Sequence, residues 1–148
     1  MSRRLEPIKG DIKMVQQSSR DTTILENRIS GASIDCALRV HKALGPGLLE
    51  SAYEECMLYE LRRNGLSVEQ QKALPLVYEE VKLDVGYRVD LLVDRKVIIE
   101  IKSVDCFTDV HLAQILTYLR LSGCKVGLLI NFNVSLIKSG IKRVVNRL

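Results

Sequence analysis

The chain has 148 residues, a length that accommodates one domain with a proper hydrophobic core. Hydrophobic residues make up 47% and charged residues 27% of it, as in an ordinary globular protein, and no apolar run approaches the roughly 20 residues that span a bilayer. Much of the formal charge of +4 lies near the two ends, which fits either solvated termini or contacts with a polyanion such as nucleic acid.

The first 25 residues are polar, without a sustained apolar period or the apolar stretch of a secretory signal. We predict a flexible or loosely packed leader over residues 1–25, a single domain over residues 26–148, and a cytoplasmic location. The cysteines stand among hydrophobic neighbours, with no C-x-x-C motif and no histidine at zinc spacing. They are therefore expected to be reduced core residues: Cys36, Cys56, Cys106 and Cys124.

Two helices are predicted at the start of the domain. Small and apolar residues recur at three- and four-residue steps over residues 26–44, and the GPG sequence at residues 45–47 ends this helix. The second helix is LLESAYEECMLYELRRN, and Gly65 is its natural stop. One stripe of side chains runs along the second helix: Glu50, Tyr53, Glu54, Met57 and Leu61.

The pattern after Gly65 changes to three antiparallel strands, LSVEQQKALPLVY, VKLDVGYRVDLLV and KVIIEIKSV, with Pro75 marking an edge strand or a break. A helix over residues 109–121 follows, capped by Thr108 or Asp109. KVGLLINF then predicts a buried strand, parallel to KVIIEIKSV, and LIKSGIKRVVNRL predicts a terminal helix. This order predicts an α/β sandwich with a mixed central sheet.

Two acids and a lysine interrupt the apolar run VDLLVDRKVIIEIKSV at residues 89–104. A three-residue loop at residues 94–96 places Asp90 opposite Glu100, with Lys102 on the same face. A loop of two or four residues would place Asp90 on the other face. Under the three-residue loop that other face is apolar: Leu91, Val93, Val97, Ile99 and Ile101.

Two facing carboxylates repel each other unless a proton or a cation lies between them. Oxygen ligands from an aspartate and a glutamate suit Mg²⁺ or Mn²⁺, so we predict a metal site at Asp90 and Glu100. Beside the ion, Lys102 could orient an attacking water and stabilise charge on a phosphate. The alternative is a structural salt bridge of Lys102 with one of the two carboxylates at the end of the sheet.

Polar residues on the two helices that flank this hairpin bear on the choice between a metal site and a structural salt bridge. His111, Gln114 and Tyr118 share one stripe of the helix over residues 109–121, and a glutamine and a tyrosine one turn apart can hold a water or a phosphate. The alternative is a solvated helix face. Glu50 would be a third metal carboxylate if its helix packs beside the hairpin.

These residues together resemble the PD-(D/E)XK nuclease superfamily, whose core is a helix, three antiparallel strands, a helix and a parallel strand. The segment HKALGPGLLESAYEECMLYELRRNGL also resembles the signature of the GxxExxY proteins. The resemblance spans roughly residues 27–146 and implies a restriction-endonuclease-like α/β sandwich. The residues of the GxxExxY signature in this sequence are Gly47, Glu50 and Tyr53.

The resemblance also implies roles for individual residues. Asp90 and Glu100 match the metal-binding acids of the superfamily, and Lys102 matches its catalytic lysine. The acid of the first core helix and the auxiliary polar pair of the later helix are matched by Glu50, Gln114 and Tyr118. His41 lies in the motif region and receives no role.

Three functions are compared. The first is a Mg²⁺-dependent or Mn²⁺-dependent nuclease that acts on nucleic acid, DNA more than RNA, alone, as a homodimer or in a larger assembly, and without a membrane. The second is a catalytically silent module with the same fold that binds nucleic acid or protein. An enzyme of small phosphorylated molecules would be expected to carry a glycine-rich phosphate loop, and the sequence has none. An aromatic content of 5% also disfavours a base-stacking platform.

Overall fold

The computed structural model describes residues 9–146, and the side chains of residues 23–146. Helices and strands follow one another along this part of the chain in the order α1 (Lys9–Leu44), α2 (Glu50–Arg63), β1 (Val68–Tyr78), β2 (Val81–Val93), β3 (Val97–Lys102), α3 (Asp109–Ser122), β4 (Val126–Asn131), a short 3-10 helix (Ile137–Gly140) and β5 (Ile141–Val145).

The strands form one mixed sheet in the order β1-β2-β3-β4-β5. Strands β3 and β4, joined through α3, are parallel, and the other neighbours are antiparallel, which confirms the predicted crossover. Strand β1 is an edge strand whose pairing register shifts on either side of Pro75, as the proline predicted. Every residue of β4 is buried, because helices cover both faces of the sheet there.

Helices α1 and α2 cover one face of the sheet and α3 covers the other. Alternate residues of β3 divide between two cores, since Val97, Ile99 and Ile101 pack with α1 and α2 whereas Ile98 packs with α3. Burying each such side chain contributes roughly 1.5–3 kcal/mol, so this alternation holds the strand in one register. The α/β sandwich with a mixed central sheet is confirmed.

Helix α1 begins at Lys9, well before the start at Glu26 that its apolar period predicted. The segment from residue 11 to residue 25 contains no glycine or proline, so its backbone can continue the helix without an apolar stripe. Residues 1–8 lie outside the described part, and the loosely packed leader stays a prediction. Within residues 9–146 no helix combines the length and the apolar character needed to cross a membrane.

The terminal helix predicted from LIKSGIKRVVNRL is wrong for the residues that the structure describes. A 3-10 turn ends at Gly140, and β5 then pairs antiparallel with the free edge of β4. A side chain at Gly140 would collide with the backbone carbonyl oxygen of Asn131, so the chain passes there in close contact with β4. The β-branched residues that follow favour the strand over the helix.

The cysteines differ in their surroundings. Cys36 and Cys124 are buried and Cys56 is half-buried, whereas Cys106 is exposed on the loop between β3 and α3. The core position predicted for Cys106 is therefore wrong, because its apolar neighbour Phe107 packs inward while the loop keeps Cys106 at the surface. All four thiols are free.

Candidate active site

A tight turn at residues 94–96 sets the register of the β2–β3 hairpin. Asp94 and Arg95 both have positive φ, 49° and 58°, and the Lys96 amide donates to the Val93 carbonyl oxygen at 2.9 Å. Positive φ at both central residues is the pattern of the turn that matches the twist of a hairpin. Val93 pairs with Val97 across Asp94, Arg95 and Lys96, as the three-residue loop predicted.

The backbone pairing of this hairpin stops just before the two acids, at the pair Leu91 and Ile99. Beyond this pair the Asp90 amide donates to Glu100 Oε1 at 2.9 Å, and the Ile101 amide donates to Asp90 Oδ2 at 2.8 Å. The two carboxylates thus occupy the place of the next ladder hydrogen bonds. They meet where the two strands separate.

Strand β2 turns at Asp90. Val89 packs in the core beside α3, whereas Leu91, two residues on, packs in the core beside α1 and α2. Residues two apart on a regular strand share a face, so this change of face shows a local twist at Asp90. The twist directs the Asp90 carboxylate toward β3 and Glu100 rather than into either core.

Burial and mutual repulsion shift the titration of this carboxylate pair. Burial, reinforced by the charge of Asp90, raises the pKa of Glu100 to about 8, against the lowering effect of the Asp90 amide and Lys102. Burial also raises the pKa of Asp90, although the Ile101 amide opposes the shift. Because the two groups are coupled, the pair holds a proton at neutral pH in the absence of a cation.

Lys102 reaches across to α3 rather than pairing with an acid. Its Nζ donates to Gln114 Oε1 at 3.4 Å, and Gln114 Nε2 donates to the Tyr118 hydroxyl at 3.0 Å. The ion pairs of the described residues do not include Lys102, so the salt-bridge alternative is wrong. Burial and the charges of Glu100 and Asp90 raise the pKa of Tyr118, which keeps its hydroxyl neutral.

The predicted polar stripe of α3 divides into two parts. Gln114 is half-buried and Tyr118 is buried, so the solvated-face alternative is wrong for this pair. His111 instead belongs to the N-terminal cap of α3, where the Thr108 amide donates to His111 Nδ1 at 3.1 Å. This capping box satisfies amide groups at the start of the helix, and the hydrogen bonds of the described residues do not join His111 to Asp90 or Glu100.

Tyr53 holds the loop that joins α1 to α2. Its hydroxyl donates to the Gly45 carbonyl oxygen at 2.6 Å and accepts from the Leu48 amide at 3.1 Å. The ring is fully buried and stacks on Phe132 with centroids 4.4 Å apart. Gly47, with a φ of 98°, supplies the left-handed conformation that the loop needs.

This loop brings Glu50 to the end of β3. Glu50 Oε1 accepts a hydrogen bond from the Ser103 amide at 3.1 Å, and Ser103 Oγ donates to the Leu48 carbonyl oxygen at 2.8 Å. Glu50 is exposed, and its partner Ser103 is the residue directly after Lys102. Its charge contributes to the raised pKa of Asp90, so it belongs to the same electrostatic cluster.

Glu54 and Gln71 join the cluster although neither was predicted as a site residue. Gln71 Nε2 donates to Glu54 Oε1 at 2.7 Å and to Asp90 Oδ1 at 3.2 Å. Burial, with a contribution from Asp90, raises the pKa of Glu54. The signal for Glu54 was its position one turn after Glu50 on the stripe of α2. No sequence signal marks Gln71, whose φ of 50° depends on the irregular pairing of β1 opposite Asp90.

The comparison with protein families agrees with the observed fold. A family model described as the PD-(D/E)XK nuclease superfamily matches residues 27–144, which is most of the chain. The chain belongs to the PD-(D/E)XK nuclease superfamily. No match was found among curated proteins or among solved structures.

The residues present fit a divalent cation held by two carboxylates. No group of three or more acidic, histidine or cysteine side chains in residues 23–146 has the arrangement of a complete metal site. Mg²⁺, however, is commonly bound by one or two carboxylates, with waters and substrate phosphates as the remaining ligands. Burial and the charge of Asp90 raise the pKa of Glu100, and a divalent cation between the two carboxylates would offset both effects. The third ligand assigned to Glu50 stays a prediction.

The surroundings of His41 indicate a structural role. It is buried on α1, and its Nε2 lies 2.7 Å from the Val134 carbonyl oxygen, at hydrogen-bond distance. The contact ties α1 to the segment after β4. His41 makes no contact with the acid cluster among the hydrogen bonds of the described residues.

Tyr53→Phe is expected to destabilise the protein by about 1–2 kcal/mol, because the substitution removes two hydrogen bonds to the α1–α2 loop and keeps the stacked ring. Urea denaturation measures the change in the free energy of unfolding. Tyr59→Phe is the control, since Tyr59 lies on the same helix and is 64% exposed. Equal stability of the two variants would show that the Tyr53 hydroxyl does not hold the loop.

Proposed function

We propose that the protein is a divalent-metal-dependent nuclease that hydrolyses phosphodiester bonds in nucleic acid, with Mg²⁺ or Mn²⁺ at Asp90 and Glu100. The observation that carries the proposal is the pair of carboxylates at the point where β2 and β3 separate, beside Lys102. Membership of a nuclease superfamily supports nucleic acid as the substrate class. We further propose that, within this superfamily, the chain is one of the GxxExxY proteins.

The charges of the cluster favour a cation before a phosphate can enter. Four acids, Glu50, Glu54, Asp90 and Glu100, interact with one another electrostatically, and Lys102 is the cation that acts on the central pair. A phosphate would be repelled by this excess of negative charge. A bound divalent cation would both neutralise the excess and attract the substrate.

Each side chain has a task in this proposal. A bound Mg²⁺ or Mn²⁺ would supply Lewis-acid stabilisation of the phosphate and a lower pKa for the attacking water. Lys102 places its ammonium group where negative charge develops on the phosphate, and Gln114 orients that ammonium group. Tyr118 fixes the Gln114 amide through the hydroxyl that accepts from Nε2. Glu50 assists as a further ligand or through a water.

A cleavage assay tests the proposal. Wild-type protein is incubated with single-stranded, duplex and branched DNA and with RNA, in Mg²⁺, in Mn²⁺ or in EDTA. We expect cleavage of at least one substrate, DNA before RNA, that requires the metal and is lost in Asp90→Asn and Lys102→Ala. Lys82→Ala, at an exposed position of β2, is the matched control that keeps activity.

Two outcomes would contradict the proposal. Equal residual activity of the wild type and both site variants would assign the cleavage to a contaminant. Binding of nucleic acid without cleavage on any substrate would support the catalytically silent module instead. A homodimer or larger assembly belongs to the same proposal, because duplex cleavage requires action on two strands.

A further inference from the structure

A row of cations lies at the opposite end of the sheet from the carboxylate pair. Lys96 and Lys125 directly precede the paired starts of the parallel strands β3 and β4, so their backbones are neighbours at roughly 4.8 Å. Arg95 lies in the turn before β3, and Arg120 lies in the last turn of α3. We call these residues the basic row: Arg95, Lys96, Arg120 and Lys125.

Two hollows lie between these cations. One has a volume of about 240 Å³ and is bordered by Arg95, Lys96 and Lys125. The other has a volume of about 170 Å³ and is bordered by Arg120 and Lys125. Both are also bordered by Gly123, so the two hollows adjoin each other. The basic row thus follows one continuous concave surface.

The acids near the basic row leave most of its charge without a partner. Glu69 lies 3.9 Å from Arg95, and the ion pairs of residues 23–146 contain no other member of the row. Asp94 accepts a hydrogen bond from the Ser67 amide at 2.8 Å, and Glu26 is buried. The charge that this surface presents to solvent is therefore predominantly positive.

Helix α3 connects this surface to the candidate active site. Gln114 of α3 accepts a hydrogen bond from Lys102, and Arg120 lies at the other end of the helix. Asp109, in the first turn, is the one acid in the sequence of α3. A polyanion that lies along the rest of α3 would therefore meet no negative side chain of this helix. The acid-rich active site repels a polyanion, whereas the basic row attracts one.

We propose that the basic row binds the phosphate backbone of a nucleic acid whose scissile bond lies at the carboxylate pair. Six steps of strand separate Lys96 from Lys102 by roughly 20 Å, which is the length of about six base pairs. Contacts with phosphates position a strand without reading its sequence. The choice of nucleic acid among polyanions rests on the proposed function.

The salt dependence of binding tests this assignment. Fluorescence anisotropy in EDTA measures binding of a labelled DNA duplex of about 16 base pairs without cleavage. Lys96→Gln/Lys125→Gln should weaken binding at least about tenfold and reduce the slope of log K against log salt by about two. Lys42→Gln/Lys82→Gln, which changes the net charge equally at exposed positions outside the row, should keep the wild-type slope.

A second variant and a kinetic measurement extend the test. Arg95→Gln/Arg120→Gln should reduce the slope in the same way, and it carries the test if the lysine variant does not fold. With Mn²⁺, the lysine variant should raise KM for the long duplex and leave kcat unchanged. A hairpin of about four base pairs, too short to reach from the carboxylate pair to the row, should keep its KM.

Failure of the basic row can be distinguished from failure of the proposed function. Equal slopes for the lysine variant and its charge-matched control overturn the basic row, even if metal-dependent cleavage is observed. Weaker binding of a polyglutamate peptide, with DNA binding unchanged, would assign the row to an acidic protein segment and overturn the proposal. The expected slopes without cleavage of any substrate would overturn the nuclease and leave the basic row standing.

Discussion

Glu100→Gln is expected to abolish metal-dependent cleavage and, at the same time, to stabilise the metal-free protein at pH 8. An amide cannot supply the negative charge that holds a divalent cation, so activity should fall by about a thousandfold. The same substitution removes a buried charge whose pKa is raised to about 8 by burial and by Asp90. Stability at pH 8 should therefore rise by a few kcal/mol, less the weakening of the hydrogen bond from the Asp90 amide, whose acceptor becomes neutral.

The two readouts of Glu100→Gln are measured on the same preparation. Cleavage rates are compared at saturating Mn²⁺, and urea denaturation in EDTA gives the free energy of unfolding. Glu80→Gln is the matched control, because Glu80 is exposed in the turn between β1 and β2 and should change neither quantity appreciably. A variant that loses stability at pH 8 would show that the Glu100 charge is compensated in the metal-free protein. A variant that keeps full activity would remove Glu100 from the site.

The stability of the metal-free wild type should fall as the pH rises from about 4.5 to about 8. In the unfolded chain Glu100 titrates near 4.5, and in the folded protein its pKa is about 8. Between these values the folded state holds a proton that the unfolded state has released, so folding becomes less favourable with each pH unit. The stability that the raised pKa of Glu100 contributes is fully present below pH 4.5 and is lost above pH 8. Its total is on the order of 5 kcal/mol.

Denaturation in EDTA across this pH range measures the slope. Glu100→Gln supplies the control, since its stability should depend less on pH over the same interval, with contributions from Asp90 and Glu54 remaining. Saturating Mn²⁺ should flatten the wild-type curve, because the ion replaces the proton between the carboxylates. A wild-type stability that rises from pH 5 to pH 8 in EDTA would contradict the proposed origin of the shift.

The hairpin shows how far sequence reasoning reaches. Alternation of apolar residues and a three-residue loop were enough to place Asp90 near Glu100 with Lys102 beside them, since the period of a strand leaves one register that buries the apolar face. The exchange of backbone ladder bonds for carboxylate contacts could not be predicted in this way. It depends on the twist of β2 at Asp90, which arises from packing on both faces.

Other features depend on contacts between distant segments. Gln71 enters the cluster because β1 pairs irregularly opposite Asp90, and Glu54 enters because α2 lies over that irregularity. The apolar residues of the C-terminal segment alternate so weakly that the sequence is compatible with a helix. Pairing with the free edge of β4 and the close approach at Gly140 instead favour a strand. Local propensity is overridden by tertiary pairing in such cases.

The central claim is that a divalent cation replaces the proton held by Asp90 and Glu100. Calorimetric titration of Mn²⁺ into the metal-free protein at pH 7, in two buffers of different ionisation enthalpy, counts the protons released on binding. We predict binding of an ion with release of about one proton by the wild type, and loss of that proton release in Glu100→Gln. Binding without proton release, or binding that Asp90→Asn and Glu100→Gln leave unchanged, would contradict it.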